Sequence, residues 1–249
     1  EARRELEGPR LHALEAIRQA GHCDCLLLTK RPHLWRSLIQ TATVHAYEHN
    51  LEDLVTWLEE WAAGNPPANV QIGTTAENQE WLDARFPPLM EIPARVRFLS
   101  CEPLLGPLSV VNAFYAWVQS WPPGSYVQTW PRLKDYLHHV IVGGESDDRK
   151  NNQARPMHPF WARGLRDECQ QQDVPFHFKQ WGDWADVTNV RLRLPSHEIR
   201  LTVDGCITSV DAPPEDGEAI MRRVFKQNAG RRLDGRTWDE LPRVATHAS

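Results

Sequence analysis

The stretch VIVGGES at residues 140–146 joins a short run of β-branched residues to two glycines and a carboxylate. Such a run is typical of a buried strand, and the polar residues after it mark the strand's carboxyl end. An apolar run followed at once by charged or amide residues occurs at four other places in the chain. The five predicted strands lie at about residues 25–29, 70–74, 96–100, 140–143 and 175–179.

Segments with helical periodicity separate these strands. Apolar residues at residues 11–17 mark a first helix, and a second is predicted to begin near Asn50 as its N-cap. Two further helices are predicted at about residues 77–86 and from Pro159 onward. Strand–helix alternation predicts parallel strands joined by crossover helices. No GxGxxG follows the first strand, which disfavours a dinucleotide-binding sheet.

The pattern changes after Trp184, and this divides the chain in two. Residues 1–184 are predicted to form an α/β unit, a partial parallel (β/α) barrel with an inserted excursion at about 112–138. Residues 185–249 are predicted to form a small C-terminal β-hairpin appendage with a polar tail, because Asp204-Gly205 is a strong hairpin turn.

Composition limits the classes of protein that fit. The net charge of −5 gives no global attraction to nucleic acid, although a local basic patch is compatible with it. Five scattered cysteines indicate reduced thiols and a cytoplasmic protein. The sequence contains no run of about 18 apolar residues, which is the length that a transmembrane helix needs, so no membrane partner is expected. Eleven tryptophans favour packing at helix–sheet interfaces, with stacking on a flat ligand as the second interpretation.

The candidate site follows from the polar strand ends, because the carboxyl ends of parallel strands meet on one face. Polar or glycine residues at these strand ends also have structural interpretations. Thr75 can be a helix cap, and Gly143-Gly144 can form a turn. His158 is either a helix cap or a proton-transfer group. The residues predicted to surround one mouth are Lys30, Glu77, Asn78, Glu102, Glu145 and Lys179.

Several ordered blocks resemble an uncharacterised family that is usually labelled a phage protein. They are LLLTKRP (26–32), IGTTAENQE (72–80), RFLSCEPLLGPL (97–108), VIVGGES (140–146), ARPMHPFWARGLRDEC (154–169), PFHFKQWGDW (175–184) and GRRLDGRTWDELP (230–242). The resemblance runs from about residue 10 to residue 242. That family is similar to radical S-adenosylmethionine proteins, whose core is a partial parallel barrel.

The resemblance implies S-adenosylmethionine and an iron–sulphur cluster as cofactors. The cysteine-rich motif with which the family usually begins is absent from this sequence, so the metal ligands are not among these residues. We therefore expect a piece of a cluster enzyme rather than a variant without the cluster. The implied cofactor-binding residues are Thr75, Glu77, Asn78, Gly143, Gly144, Glu145 and Ser146, the catalytic ones are Lys30, Glu102 and Lys179, and the substrate-binding ones are Arg31, Arg155, His158, Gln180 and Trp181.

Two alternatives to a radical enzyme stay open. The first is a cluster-free α/β barrel enzyme that uses Lys179 and a carboxylate for acid–base chemistry. The second is a nucleic-acid or partner-binding module of phage origin, which uses a tryptophan-rich surface and the basic stretch at residues 230–236. The substrate, whether a small molecule or a macromolecule, is not identified by any of these patterns.

Overall fold

A computed structural model describes residues 6–123, 130–147, 153–188, 198–208, 210 and 215–242. Three predicted features therefore lie wholly or partly outside the described residues. These are the polar loop at about 147–152, most of the alternating segment at 190–203, and the end of the polar tail.

Five parallel strands form one sheet, as the sequence predicts. They are β1 (Cys25–Thr29), β2 (Val70–Thr75), β3 (Val96–Cys101), β4 (His139–Gly143) and β5 (Phe176–Gln180). Their order in the sheet follows their order in the chain, and every neighbouring pair is parallel. β1 is therefore an edge strand, and all five carboxyl ends lie along one side of the sheet.

Six helices connect and cover these strands. They are α1 (Glu7–Gln19), α2 (Trp35–Glu48), α3 (Glu52–Ala62), α4 (Gln79–Met90), α5 (Val110–Gln119) and α6 (Pro159–Gln171), with 3-10 turns at Pro32–Leu34 and Leu133–Asp135. Asn50 is not the N-cap that we predicted for α3. It has a φ of +55° between α2 and α3, a left-handed conformation that asparagine tolerates. The excursion predicted at about 112–138 includes α5, the helix between β3 and β4; residues 124–129 fall among those not described.

The helices bury one face of the sheet. Leu99, Val140 and Phe176 occupy matching positions on β3, β4 and β5, and they belong to one core cluster with helix residues such as Leu82 and Phe114. Burying each such side chain stabilises the fold by roughly 1.5–3 kcal/mol. This packing holds the helices against the sheet and fixes the positions of the strand ends.

The opposite face of the sheet carries a different row of side chains. Leu28, Gly73, Phe98 and His139 are in register across four strands. The ring of Phe98 lies over Gly73, where a Cβ atom would come within 2.4 Å of it. Leu28 at the β1 edge remains 51% exposed, so this face is open at that edge.

A second, antiparallel sheet of four strands follows. Its strands β6 (Trp184–Asp186), β7 (Glu198–Leu201), β8 (Ile207–Thr208) and β9 (Ala219–Arg223) lie in the order β6-β9-β7-β8, and a short helix α7 (Lys226–Ala229) comes after β9. The predicted hairpin is the β7–β8 pair, and Gly205 in its turn has a φ of +91°. The indole of Trp161 on α6 donates to the carbonyl of Val203 at 2.6 Å, which ties this sheet to the first unit.

Across the residues that the structure describes, there is no helix with both the length and the apolar character needed to cross a membrane.

Candidate functional site

The carboxyl ends of β1 and β2 bring together Lys30, Thr75, Glu77 and Arg85, here called the Glu77 cluster. The Nζ of Lys30 lies 2.7 Å from Oε1 of Glu77. The Nη1 of Arg85, from α4, lies 2.7 Å from Oε2 of the same carboxylate and donates to Oγ1 of Thr75 at 2.8 Å. Thr75, Glu77 and Arg85 are all buried. The parallel pairing of β1 with β2 thus places one buried carboxylate between two cations.

The Glu77 carboxylate is held in its charged form. Burial by itself raises its pKa, but hydrogen bonds from Lys30, from its own backbone amide and from Arg85 outweigh that effect, so the pKa of Glu77 lies below its usual value. Arg85 also stacks on the ring of Trp81, with its guanidinium carbon 4.3 Å from the ring centroid. Arg85 carries no distinguishing signal in the sequence, because an arginine on a helix is usually a solvent-exposed side chain.

A second ion pair crosses the end of β4. Glu102 follows β3 and Lys179 lies in β5, and their Oε2 and Nζ atoms are 3.1 Å apart. The residue between them is Gly143, where a Cβ atom would be 2.2 Å from Oε1 of Glu102. Only glycine leaves room at that position for the carboxylate to reach β5. Gly143 therefore has a packing role, and the ligand contact that we predicted for it stays a prediction.

Gly144 has a packing role of the same kind. A Cβ atom at Gly144 would lie 2.0 Å from the carbonyl oxygen of Trp181, and one at Gly182 would lie 2.1 Å from that of Glu145. The loop after β4 and the turn after β5 are thus in direct backbone contact. Trp181, predicted to bind substrate, is buried, and its indole donates to the carbonyl of Arg232 at 2.8 Å.

Glu145 and Arg155 form a two-pronged ion pair. The Nε and Nη2 atoms of Arg155 donate to the two oxygens of Glu145 at 2.8 and 2.7 Å, and the backbone amide of Arg155 donates at 2.7 Å. The side-chain hydrogen bonds from Arg155 keep the pKa of Glu145 below its usual value. Ser146 lines a depression of about 370 Å³ beside this pair. Glu145, predicted to bind a cofactor, is therefore engaged by a residue predicted to bind substrate.

The remaining predicted site residues occupy separate positions. Asn78 and His158 are the N-caps of α4 and α6, and each accepts a backbone amide hydrogen of the first turn, at 3.0 and 3.1 Å. For His158 the structure shows the capping role that we weighed against proton transfer. Arg31 is exposed next to the Glu77 cluster. The buried Oε1 of Gln180 has no hydrogen-bond partner among the described residues.

Two histidines that the sequence analysis passed over lie on the sheet face opposite the helices. His139 is buried, and its ring centroid is 6.0 Å from that of His177. Burial, and then the neighbouring His177, lower the pKa of His139 to about 4. Both occupy strand positions that alternate with core residues, such as His177 between Phe176 and Phe178. That alternation was the available signal, because a strand's odd and even positions face opposite sides of a sheet.

The cysteines present do not fit an iron–sulphur cluster. Cys23 and Cys25 lie at the amino end of β1, away from the charged strand ends, and Cys206 lies in the β7–β8 turn. Cys101 and Cys169 are buried, and burial raises the pKa of both thiols, which disfavours the thiolate that a cluster needs. Among the described residues, no three His, Cys, Asp or Glu side chains form a group that could hold a metal ion.

The chain belongs to the family described as "Protein of unknown function (DUF5131)", whose model matches residues 9–242. The matched span covers the sequence blocks from residue 26 to residue 242 on which the resemblance rested. No curated protein and no solved structure matches the chain.

Proposed function

We propose that the chain is the ligand-binding core of a radical S-adenosylmethionine-type enzyme, with the cofactor and an unidentified substrate at the carboxyl ends of the parallel strands. The observation that supports this most is a repeated arrangement at two neighbouring sites. At each site a largely buried carboxylate, Glu77 or Glu102, pairs with a largely exposed lysine, Lys30 or Lys179.

These pairs suit a ligand that carries both an ammonium and a carboxylate group. The lysine side chains are 64% and 55% exposed, whereas the carboxylates are 11% and 18% exposed. An exposed lysine gains little from its ion pair, so it can be displaced at small cost. A ligand ammonium can then take its place on the buried carboxylate, while the displaced lysine meets the ligand carboxylate. The methionine part of S-adenosylmethionine has both groups.

The edge of the sheet supports a partial barrel. Leu26 and Leu28 on β1 are 49% and 51% exposed on one face of the edge strand. A further strand paired with β1 would satisfy its free backbone groups and would place its own side chains beside these leucines on the same face. Barrel closure beyond β1 is thus part of this proposal, whichever segment or chain supplies the strand.

Among the described residues, no group of cysteines is placed to ligate an iron–sulphur cluster. The role proposed for its own residues is to bind and orient. Glu77 and Glu102 hold a cation, Lys30 and Lys179 hold an anion, and Arg85 keeps Glu77 charged. Positioning of reacting groups is the main contribution of a protein that carries out cofactor chemistry.

The test compares the product of the complete gene, whatever its length, with the 249-residue chain, both purified without oxygen. We expect iron and tight S-adenosylmethionine binding for the complete product, and no iron with at least tenfold weaker cofactor binding for the 249-residue chain. Iron analysis and calorimetry measure both. A complete product that binds neither iron nor cofactor contradicts the radical mechanism.

Glu102→Gln in the complete product provides a sharper test. The loss of a charge-assisted hydrogen bond to the cofactor's ammonium, worth roughly 1.5–3 kcal/mol, weakens binding about ten- to a hundredfold. Glu60→Gln, on the exposed surface of α3, is the matched control and leaves binding unchanged. Equal affinities for the two variants would remove Glu102 from the cofactor site.

The Glu102–Lys179 contact also favours a second candidate, the cluster-free acid–base enzyme, because a lysine next to a carboxylate can receive and return a proton. An iron-free preparation incubated with a metabolite extract tests it. Consumption of a metabolite by the wild type but not by Lys179→Met supports this candidate, and equal consumption by both rejects it.

A further inference from the structure

A shallow depression beside Lys179 has a strongly basic lining. Its volume is about 450 Å³, and its described lining residues include three cations and no carboxylate: Lys179, Gln180, Lys226, Gln227, Gly230 and Arg231. The chain as a whole has a net charge of −5. Glu102 and Asp239 pair with two of these three cations, so the depression keeps a net positive charge, opposite in sign to that of the whole molecule.

Lys226 is held in place by a buried carboxylate and a strained backbone. Its amide donates to Oδ1 of Asp183 at 3.1 Å, and the amides of Val224 and Phe225 both donate to the carbonyl of Asp183, at 2.9 and 3.0 Å. Phe225 has a φ of +62° and a ψ of 153°, a region that is otherwise almost restricted to glycine. Such a conformation costs roughly 1–3 kcal/mol and persists only where the surroundings enforce it. The surroundings here are the three hydrogen bonds to Asp183, and their effect is to hold Lys226 at the depression.

The positive charges of this depression are available to a ligand. Among the described residues, Lys226 makes no ion pair with a carboxylate. Arg231 pairs with Asp239, but their side chains are 49% and 51% exposed, and exposed ion pairs contribute only about 0–1 kcal/mol. Lysine and arginine around an open pocket are typical phosphate-binding groups.

We propose that this depression binds a phosphate group of the substrate, so that the enzyme acts on a phosphate-bearing small molecule. Lys226 and Arg231 hold the phosphate, and Lys179 lies between the depression and Glu102, which places the rest of the substrate beside the cofactor bound at Glu102. The assignment of the phosphate to a substrate rests on the function proposed above. The binding of the phosphate itself does not.

The test is direct binding of inorganic pyrophosphate to the 249-residue chain, measured by calorimetry at low salt without metal ions. We expect Lys226→Gln and Arg231→Gln each to weaken binding about threefold to tenfold, as the loss of one partly exposed charge contact. Lys134→Gln is the matched control, because Lys134 is also a surface lysine but lies near the amino end of β4. Far-UV circular dichroism checks that all variants are folded.

The pyrophosphate affinities of the wild type and the three variants decide whether the depression is a phosphate site. Binding that the two variants weaken and the control does not supports the phosphate site, even if no iron or S-adenosylmethionine binds to the complete gene product. No binding at millimolar pyrophosphate, or equal losses in all three variants, overturns it. A thymidine oligonucleotide that binds at least tenfold more tightly, with the same variants weakened and a steep dependence on salt, also overturns it in favour of a nucleic-acid site.

Discussion

The replacement Asp183→Ala is the change that we expect to destabilise this fold most. Asp183 is 2% exposed, and its carboxylate accepts backbone amide hydrogens from Asp147 at 3.2 Å and Lys226 at 3.1 Å. It also faces the guanidinium of Arg223 at 3.4 Å, with side-chain exposures of 3% and 6%. One carboxylate thus joins the loop after β4, the strand β9 and the first residue of α7.

The magnitude follows from the burial of this pair. Removing one partner of a buried ion pair costs about 3–5 kcal/mol, because the remaining charge stays buried after that carboxylate is lost. The two amide donors also lose their acceptor, which keeps the estimate toward the upper part of that range. For a chain of this size, roughly 2–4 °C of melting temperature corresponds to each kcal/mol, so we expect a decrease of about 6–20 °C.

Urea unfolding at pH 7, followed by far-UV circular dichroism, measures the free energy of unfolding. Asp135→Ala is the control, since Asp135 forms an ion pair with Arg132 in which the two side chains are 45% and 66% exposed. That variant should lose no more than about 0.5 kcal/mol. A loss for Asp183→Ala below about 1 kcal/mol would refute the reasoning, because it would mean that Asp183 does not join these segments.

Three further outcomes follow from the site. Glu77→Gln should unfold at a lower urea concentration at pH 7, and its stability should depend less on pH between about 5 and 3. The reason is that the depressed pKa of Glu77 stabilises the fold above the unfolded-state pKa, and this stability is lost on acidification; urea midpoints at pH 7, 5 and 3 measure it. The wild type should lose about 2–3 kcal/mol between pH 6.5 and 4.5 through His139, whose folded pKa of about 4 lies below its unfolded value, and His139→Phe should lack that loss in the same titration. Gly143→Ala should displace the Glu102 carboxylate and cost about 1–3 kcal/mol, whereas Gly164→Ala, in open space within α6, should stabilise the fold by about 0.5–1 kcal/mol; thermal melts compare the two.

The strands of the first sheet were predictable because their signal is local. Each strand is a short apolar run whose end is marked by polar residues, and the hairpin turn at Asp204-Gly205 is equally local. Helix α2 was not predicted. Thr41, Thr43 and Val44 give it a low intrinsic helix propensity, and it forms because Ile39 and the alanines on the same side are buried against neighbouring elements. Tertiary packing outweighs local preference there.

The pairing of side chains at the site could not be predicted from the sequence. That Glu102 contacts Lys179, 77 residues later, depends on the order of β3, β4 and β5 in the sheet. That Glu145 pairs with Arg155 depends on the path of the loop after β4. The sequence predicted which residues lie at the strand ends, whereas the structure shows which of them already have partners.

The predicted carboxylates fall into two groups, one held by an arginine and one paired with an exposed lysine. Glu145 is held by both nitrogens of the Arg155 fork and by a backbone amide, so a ligand would have to break three hydrogen bonds to reach it. Glu77 and Glu102 each have a lysine ammonium on a long, exposed side chain as one partner, which is weaker and less directional than a two-pronged arginine; Glu77 in addition keeps its buried partner Arg85. A ligand cation therefore displaces Lys30 or Lys179 at lower cost than it displaces Arg155. Among the described residues, the Lys30–Glu77 and Lys179–Glu102 pairs lie at the ends of β1, β2, β3 and β5, and we propose that these are the charges a ligand exchanges with.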